Sequence, residues 1–328
     1  MLGTSNTSFQ KEQLKSLIYK GKLEEAKEYV KEYFAILRDT GEIIFWNPSI
    51  KQFERISHRS AKKYYIRKIV NGDFDIQKWF FTEDLDMYML DIDPKQPLIY
   101  EKNKNKYINL FRGYTHTEQK EFESYDSRIK NKIQFIWEYI KTIWCSNNEK
   151  SFDYVKLWIS HMINGRKMTT ALYLKSHKRM ENKSVITDFL RLKVLNQQIV
   201  HMAYDSITYT SCINGELEGK ILIITEKMPK SSYKLRNYIM KETIEIEHKG
   251  KKSYECTNNI SVIINTSDNY NSVNLEEDDD PIYFVLRLSD DKPFHYDKIH
   301  KYTNDDKVGE VFYWYCKEFA SKNIDFKE

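Results

Sequence analysis

The chain has 328 residues, enough for about two domains, and its 30% charged and 41% apolar shares exclude a disordered polypeptide. A net charge of +4 excludes a global field for polyanions, so nucleic-acid contact must come from local basic stretches at 62–68, 175–179 and 249–252. The cysteines at 145, 212, 256 and 316 show no C-x-x-C spacing, and no apolar run approaches the roughly 18 residues of a membrane span. A soluble, intracellular protein with reduced thiols and no membrane partner is expected.

Along the chain, Leu14, Leu17, Ile18, Leu23, Ala26, Tyr29, Val30, Tyr33 and Phe34 recur at helical spacing with a break at Gly21, which predicts two short helices within 9–37. Asp39-Thr40-Gly41 reads as a turn. Residues 42–46 and 51–56 flank Asn47-Pro48 as a hairpin, and 57–70 returns to helical spacing. Residues 73–107 are mixed, with loops at Pro94 and Pro97. A helix is expected over 126–145 and another from Ser151, as its cap, to Ile163. From residue 170 short apolar runs alternate with helical stretches. The runs are 170–174, 221–225, 260–265 and 283–288, the pattern of a parallel-rich sheet with helices on its faces. The domain boundary is placed near 125, with a mixed helical/β accessory region at 1–125 and an α/β core at 126–328.

A phosphate-binding loop needs a strand, a glycine-rich turn and a Lys-Ser/Thr pair opening a helix. Glycines let backbone N–H groups face phosphate, lysine neutralises it, and the hydroxyl ligates Mg²⁺. Here the strand at 170–174 and a helix at 184–195 bracket Lys183-Ser184, which stands in the right place. A Lys-Ser pair alone is common by chance in a lysine-rich chain. The scattered histidines (161, 177, 201, 248, 295 and 300) have no ligand partner at i+4 and read as ordinary surface or core residues.

The order of the segments around that pair is more informative. "YVKLWISHMINGRKMTTALYLK" precedes it, and "NGELEGKILIITEKMP", "YKLRNYIMKETIEIEHKGK", "NNISVIINTSDNYNSV", "DDDPIYFVLRLS" and "GEVFYWYCKEFASKNIDF" follow. Together with the upstream "YINLFRGYTH", this succession resembles the superfamily 3 helicase domain of poxvirus-type primase-helicases and related phage and plasmid replication proteins. The resemblance covers roughly 107–326. It implies a P-loop NTPase-like sheet flanked by helices, ATP and Mg²⁺ as cofactors, DNA (single-stranded or duplex) as partner, and a homo-oligomeric ring. By position it makes Lys183 and Ser184 the Walker A residues, Glu226 the Walker B carboxylate, and Asp268 and Asn269 the sensor region. Ser184 and Glu226 become the Mg²⁺ ligands, and Lys249, Lys251 and Lys252 a DNA-facing hairpin.

The departures matter as much as the matches. Three usual glycines fall on His177, Met180 and Asn182, where a β-carbon crowds phosphate or resists positive φ. Glu226 is followed by Lys227, a charge of the wrong sign for a metal site. The arginine-finger pair is replaced by Pro281-Ile282, and in related NTPases loss of a finger costs about 10³ to 10⁵ in rate. The expectation is a helicase-like replication protein of viral or mobile-element type that has lost hydrolysis. Two alternatives stand beside it: a divergent but active ATP-dependent helicase, with an arginine such as Arg287 acting in trans, and a nucleic-acid or protein-binding module without NTPase ancestry. Arg287 lies in an apolar strand, and an edge position explains it more simply.

Overall fold

The computed structural model describes residues 2–3, 5–82, 85–176, 184–203, 213–226, 233–267, 280–289 and 294–327. Contacts divide the chain into two compact units. The first comprises 1–91, 96–110 and 252–254, and the second 92–95, 111–251 and 255–328. The division falls between Leu110 and Phe111, so the "YINLFRGYTH" phrase straddles it.

In the first unit, α1 (Lys11–Tyr19) and α2 (Leu23–Lys31) are the two expected helices, and Gly21 between them takes φ +74°. The helical spacing overran, because Phe34 begins a strand, β1 (Phe34–Leu37). β2 (Ile43–Asn47) and β3 (Gln52–Ile56) form the expected hairpin. The helix expected over 57–70 is shorter: α3 (His58–Ser60), capped by Ser57, runs into a π-helical turn at 61–65. A small ribbon, β4 (Val70–Asn71) with β5 (Phe74–Asp75), leads into α4 (Ile76–Thr82). β6 (Met87–Asp91), β7 (Ile99–Lys102) and β8 (Asn105–Asn109) complete a six-stranded mixed sheet in the order β3-β2-β1-β6-β8-β7. β6 runs parallel to β1 and β8. Asn103 and Lys104, at φ 52° and 64°, make the tight turn between β7 and β8, the geometry that matches the strands' right-handed twist. Leu14, Ile18, Val30, Tyr33, Phe34 and Phe80 form the buried centre.

The second unit begins with α5 (Ser127–Tyr139), which ends in a π-helical turn to Trp144, and α6 (Glu149–Ile163). The cap of α6 is Asn148, whose Oδ1 accepts from the Ser151 N–H at 3.0 Å, so Ser151 lies inside the helix rather than capping it. β9 (Ala171–Ser176), α7 (Val185–Phe189, continued as a π-helical stretch to Leu195) and β10 (Val200–Ala203) follow. Next come β11 (Leu222–Thr225), α8 (Tyr233–Met240), the ribbon of β12 (Thr243–Ile246) and β13 (Tyr254–Thr257), β14 (Ser261–Ser267) and β15 (Tyr283–Arg287). α9 (Tyr296–Thr303) and α10 (Asp306–Lys322) close the unit. All four expected strands lie in one sheet, ordered β10-β11-β14-β9-β15, and every pairing is parallel. β10 was not expected; four residues starting Val-His-Met give periodicity little to act on.

Both faces of this sheet are covered. Leu172, Leu174, Leu222, Ile224 and Ile263 join the large cluster built with α5, α6, α7 and α10. Tyr173, Val262 and Ile264, of opposite parity, are also buried, and α8 packs on β14. Doubly covered strands read as continuous apolar runs, which is why they were legible. Cys145, Cys256 and Cys316 are buried and unbridged, and burial pushes the Cys145 thiol up to about 12. No helix among the described residues is long and apolar enough to cross a membrane.

Gly309, inside α10, is buried where that helix meets the 190–195 stretch, and a β-carbon there would press on the Lys193 carbonyl oxygen at under 3.0 Å. The backbones touch because no side chain intervenes. Gly309→Ala is expected to destabilise by about 1–3 kcal/mol despite its gain in helix propensity. The check is the urea midpoint; a variant as stable as the parent would show that α10 has room to move.

Candidate functional site at the carboxyl ends of the sheet

Because all five strands are parallel, their carboxyl ends share one rim. The chain leaves β9 towards β10 at the far edge, whereas it leaves β14 past β9 to β15 on the other side. The strands that follow β9 and β14 thus lie in opposite directions across the sheet, and in open α/β sheets ligands bind outside the carboxyl ends of adjacent strands whose connections run opposite ways. Ser176 of β9 and Ser267 of β14 are register partners at that rim, and Thr225 of β11 pairs with Ile264 one strand away.

Of the nucleotide-site candidates, Ser184 and Glu226 are described. Ser184 stands directly before α7, the helix that follows β9; its carbonyl accepts from Asp188 N and Thr187 Oγ1, both at 2.8 Å. Its side chain makes no cap hydrogen bond. Glu226 is exposed, one residue beyond β11. Lys183, Asp268 and Asn269 lie outside the described residues, as do His177, Met180, Asn182 and Lys227. A cavity of about 280 Å³ opens beside Ser184, but Asp188, Arg191, His300 and Asn304 line its other parts and no residue of β9, β11 or β14 does. It is not the rim crevice.

Polar residues missed in the sequence sit deeper. Thr225, Asn265 and Thr266 are buried at the ends of β11 and β14. Thr266 Oγ1 donates to Tyr173 Oη at 3.4 Å, and Ser176 Oγ donates to the Thr266 carbonyl at 3.4 Å. Asn265, 6% exposed, pairs in register with Leu174, and its Oδ1 has no hydrogen-bond partner. A buried amide oxygen left unpaired costs roughly 1–3 kcal/mol. The available clue was the step from Ile263-Ile264 to Asn-Thr-Ser within one strand.

Asp280, directly before the Pro281-Ile282 pair, is held structurally. Its Oδ1 accepts from Ile282 N at 3.2 Å, and its Oδ2 takes a short charge-assisted contact from Arg236 of α8. Arg287 is exposed on β15, an edge strand, as the simpler account of it required.

The basic hairpin is well anchored at its base. Asn214 Nδ2 donates to the Glu245 carbonyl, and Asn214 Oδ1 accepts from Glu247 N, both at 2.8 Å. Asn258 Nδ2 and Lys167 Nζ converge on the Tyr238 and Lys241 carbonyls at the end of α8. Lys249 and Lys251 are exposed on either side of Gly250, whose φ is +73°. Lys252 differs from the other two: its ammonium donates to the Asp39 carbonyl at 2.5 Å.

Comparison with known proteins fits this picture. Residues 174–287 match the model of a family of unknown function, DUF5906. A DNA primase-polymerase of Nitratiruptor phage NrS-1 is 22% identical over 195 residues, which cover 57% of this chain. The match spans only 26% of that relative's length. An apo structure of the NrS-1 C-terminal region (A form) has a TM-score of 0.60 at 16% identity, covering 88% of this chain and 67% of that one. Another apo structure of the same region gives 0.59 at 16%, over 88% and 71%. The chain is thus homologous to a phage primase-polymerase and shares the fold of that protein's C-terminal region.

Asn265→Leu removes the orphaned oxygen while keeping the side chain's approximate volume. A stability gain of about 1 kcal/mol is expected in urea unfolding. A loss of that size would mean that Asn265 is satisfied in solution and is purely structural.

Proposed function

We propose that the second unit is a P-loop NTPase-like domain of the superfamily 3 helicase kind, serving replication of a virus or mobile element, and that ATP hydrolysis has been lost. The observation that carries this is the rim of the parallel sheet. The strand followed by the Lys183-Ser184 helix stands where the connections diverge, with the Glu226 strand and the Asn265 strand on its one side. Homology to a phage primase-polymerase supports the replication setting.

A phosphate loop works because consecutive N–H groups converge on one oxyanion, and the side chains of His177, Met180 and Asn182 occupy positions the motif leaves open. Mg²⁺ takes near-octahedral oxygen ligands, commonly one or two carboxylates beside substrate phosphates. Ser184 offers a hydroxyl and Glu226 one carboxylate, but Lys227 follows directly and opposes a cation. The residues present do not fit a working ATP–Mg²⁺ centre. The purified protein is expected to bind ATP weakly or not at all and to release no phosphate above background. Calorimetry and a phosphate-release assay on the parent and Lys183→Ala check this. Turnover abolished by Lys183→Ala would establish the second reading, a divergent active helicase, which the orphaned Asn265 oxygen favours.

DNA contact through the hairpin is part of the same proposal. With Lys252 engaged on Asp39, two lysines rather than three are available to phosphate. Lys249→Ala with Lys251→Ala should therefore lower the magnitude of the log–log salt slope for single strands by about 1.4. Lys252→Ala should leave the slope unchanged, and a drop for Lys252→Ala equal to that for either other lysine would overturn the assignment.

A further inference from the structure

We infer that residues 59–68 of the first unit form a second, independent binding surface for single-stranded polynucleotide, built from a comb of unneutralised cations and the exposed ring of Tyr64. Residues 58–70 contain Arg59, Lys62, Lys63, Arg67 and Lys68 and no carboxylate, so this short segment carries more charge than the chain's entire net +4. All five cations are exposed.

The plainer account, a solvated charged face, fails on a comparison within the same unit. On or beside α1 and α2, four lysines have carboxylates three residues away: Lys15–Glu12, Lys22–Glu25, Lys27–Glu24 and Lys31–Glu28 lie at 2.8–4.0 Å. That is how this sequence solvates a charged helix face. The 59–68 cations make no ion pair among the described residues. Two instead rest on aromatic rings: Lys62 lies 4.6 Å from the Phe81 centroid and Lys63 4.9 Å from that of Tyr64. Ring contacts position an ammonium without cancelling its charge.

The segment is also rigidly mounted. The π-helical turn at 61–65 closes with Ile66 N donating to the Ala61 carbonyl at 2.9 Å, and Ala61 and Ile66 are fully buried. Tyr65 packs 4.6 Å from Phe45 and 5.6 Å from Phe34, ring to ring. Its neighbour Tyr64 points outward, 51% exposed. A fixed row of cations with a presented aromatic ring is what binds a strand with unstacked bases: phosphates meet the charges and a base stacks on the ring. A bilayer would need a broader apolar face than Tyr64 and Val70 provide. The surface lies wholly in the first unit and does not rest on the nucleotide-site reading.

The test is fluorescence anisotropy of the whole protein with a labelled dT20 oligonucleotide across a salt series. Replacing Arg59, Lys62, Lys63, Arg67 and Lys68 together by Ala should reduce the magnitude of the log–log salt slope by about 3.5. Tyr64→Ala should weaken binding about fivefold or more, whereas Tyr64→Phe, which keeps the stacking face, should retain it. Circular dichroism confirms that the variants fold, as their exposed positions lead one to expect. A salt slope unchanged in the five-residue variant would overturn the proposal. So would binding to phosphatidylserine vesicles with no binding to dT20.

Discussion

The burial of one parallel sheet on both faces constrains everything else in the second unit. A strand covered on both sides has no room for an uncompensated polar group along its length, because each would lose water without gaining a partner. Polar chemistry is thereby pushed to the strand ends. Leu172, Leu174, Leu222, Ile224 and Ile263 hold the interior, and Ser176, Thr225, Asn265 and Thr266 appear only as the strands run out. A ligand that reaches the sheet itself is met at that rim or on the loops beyond it.

The same constraint decides what was legible in the sequence. The four strands at 170–174, 221–225, 260–265 and 283–288 could be read because double burial writes itself as an apolar run. β10 could not, since His201 interrupts its four residues and its place comes from pairing with β11. In the first unit Phe34 was read as helical because Val30, Tyr33 and Phe34 keep helical spacing; the sheet partner at Phe45 overrides that pattern. Of the candidate site, positions could be read but partners could not. Nothing in the spacing of 249, 251 and 252 says that the last lysine turns to the Asp39 carbonyl, which lies more than two hundred residues away in sequence. Asn265 was passed over for the opposite reason, since an asparagine in a strand draws notice only once its oxygen is known to be buried and unpaired.

The first unit solves charge differently in different places. Its helical lysines are paired with glutamates one turn away, and Arg55 lies 3.5 Å from Glu42. Against that habit the unpaired row at 59–68 is a local exception, and it coincides with a departure from regular helix. The π-helical turn widens the backbone so that Ala61 and Ile66 both reach the core while Lys62, Lys63 and Tyr64 face out.

Fold and chemistry in the second unit are separable for a physical reason. The residues that hold the sheet are buried and tightly packed, so a change in Leu174 or Phe312 carries a cavity cost of several kcal/mol, on the order of 2–5. Glu226 is exposed, and replacing an exposed residue costs on the order of 0.5 kcal/mol or less. Nothing in the folding free energy keeps a carboxylate there. Asn265 is the informative exception, because its side chain is buried at the rim and its oxygen is unpaired. Substitution there is therefore felt by the fold as well as by the rim, at the place where β14 meets β9.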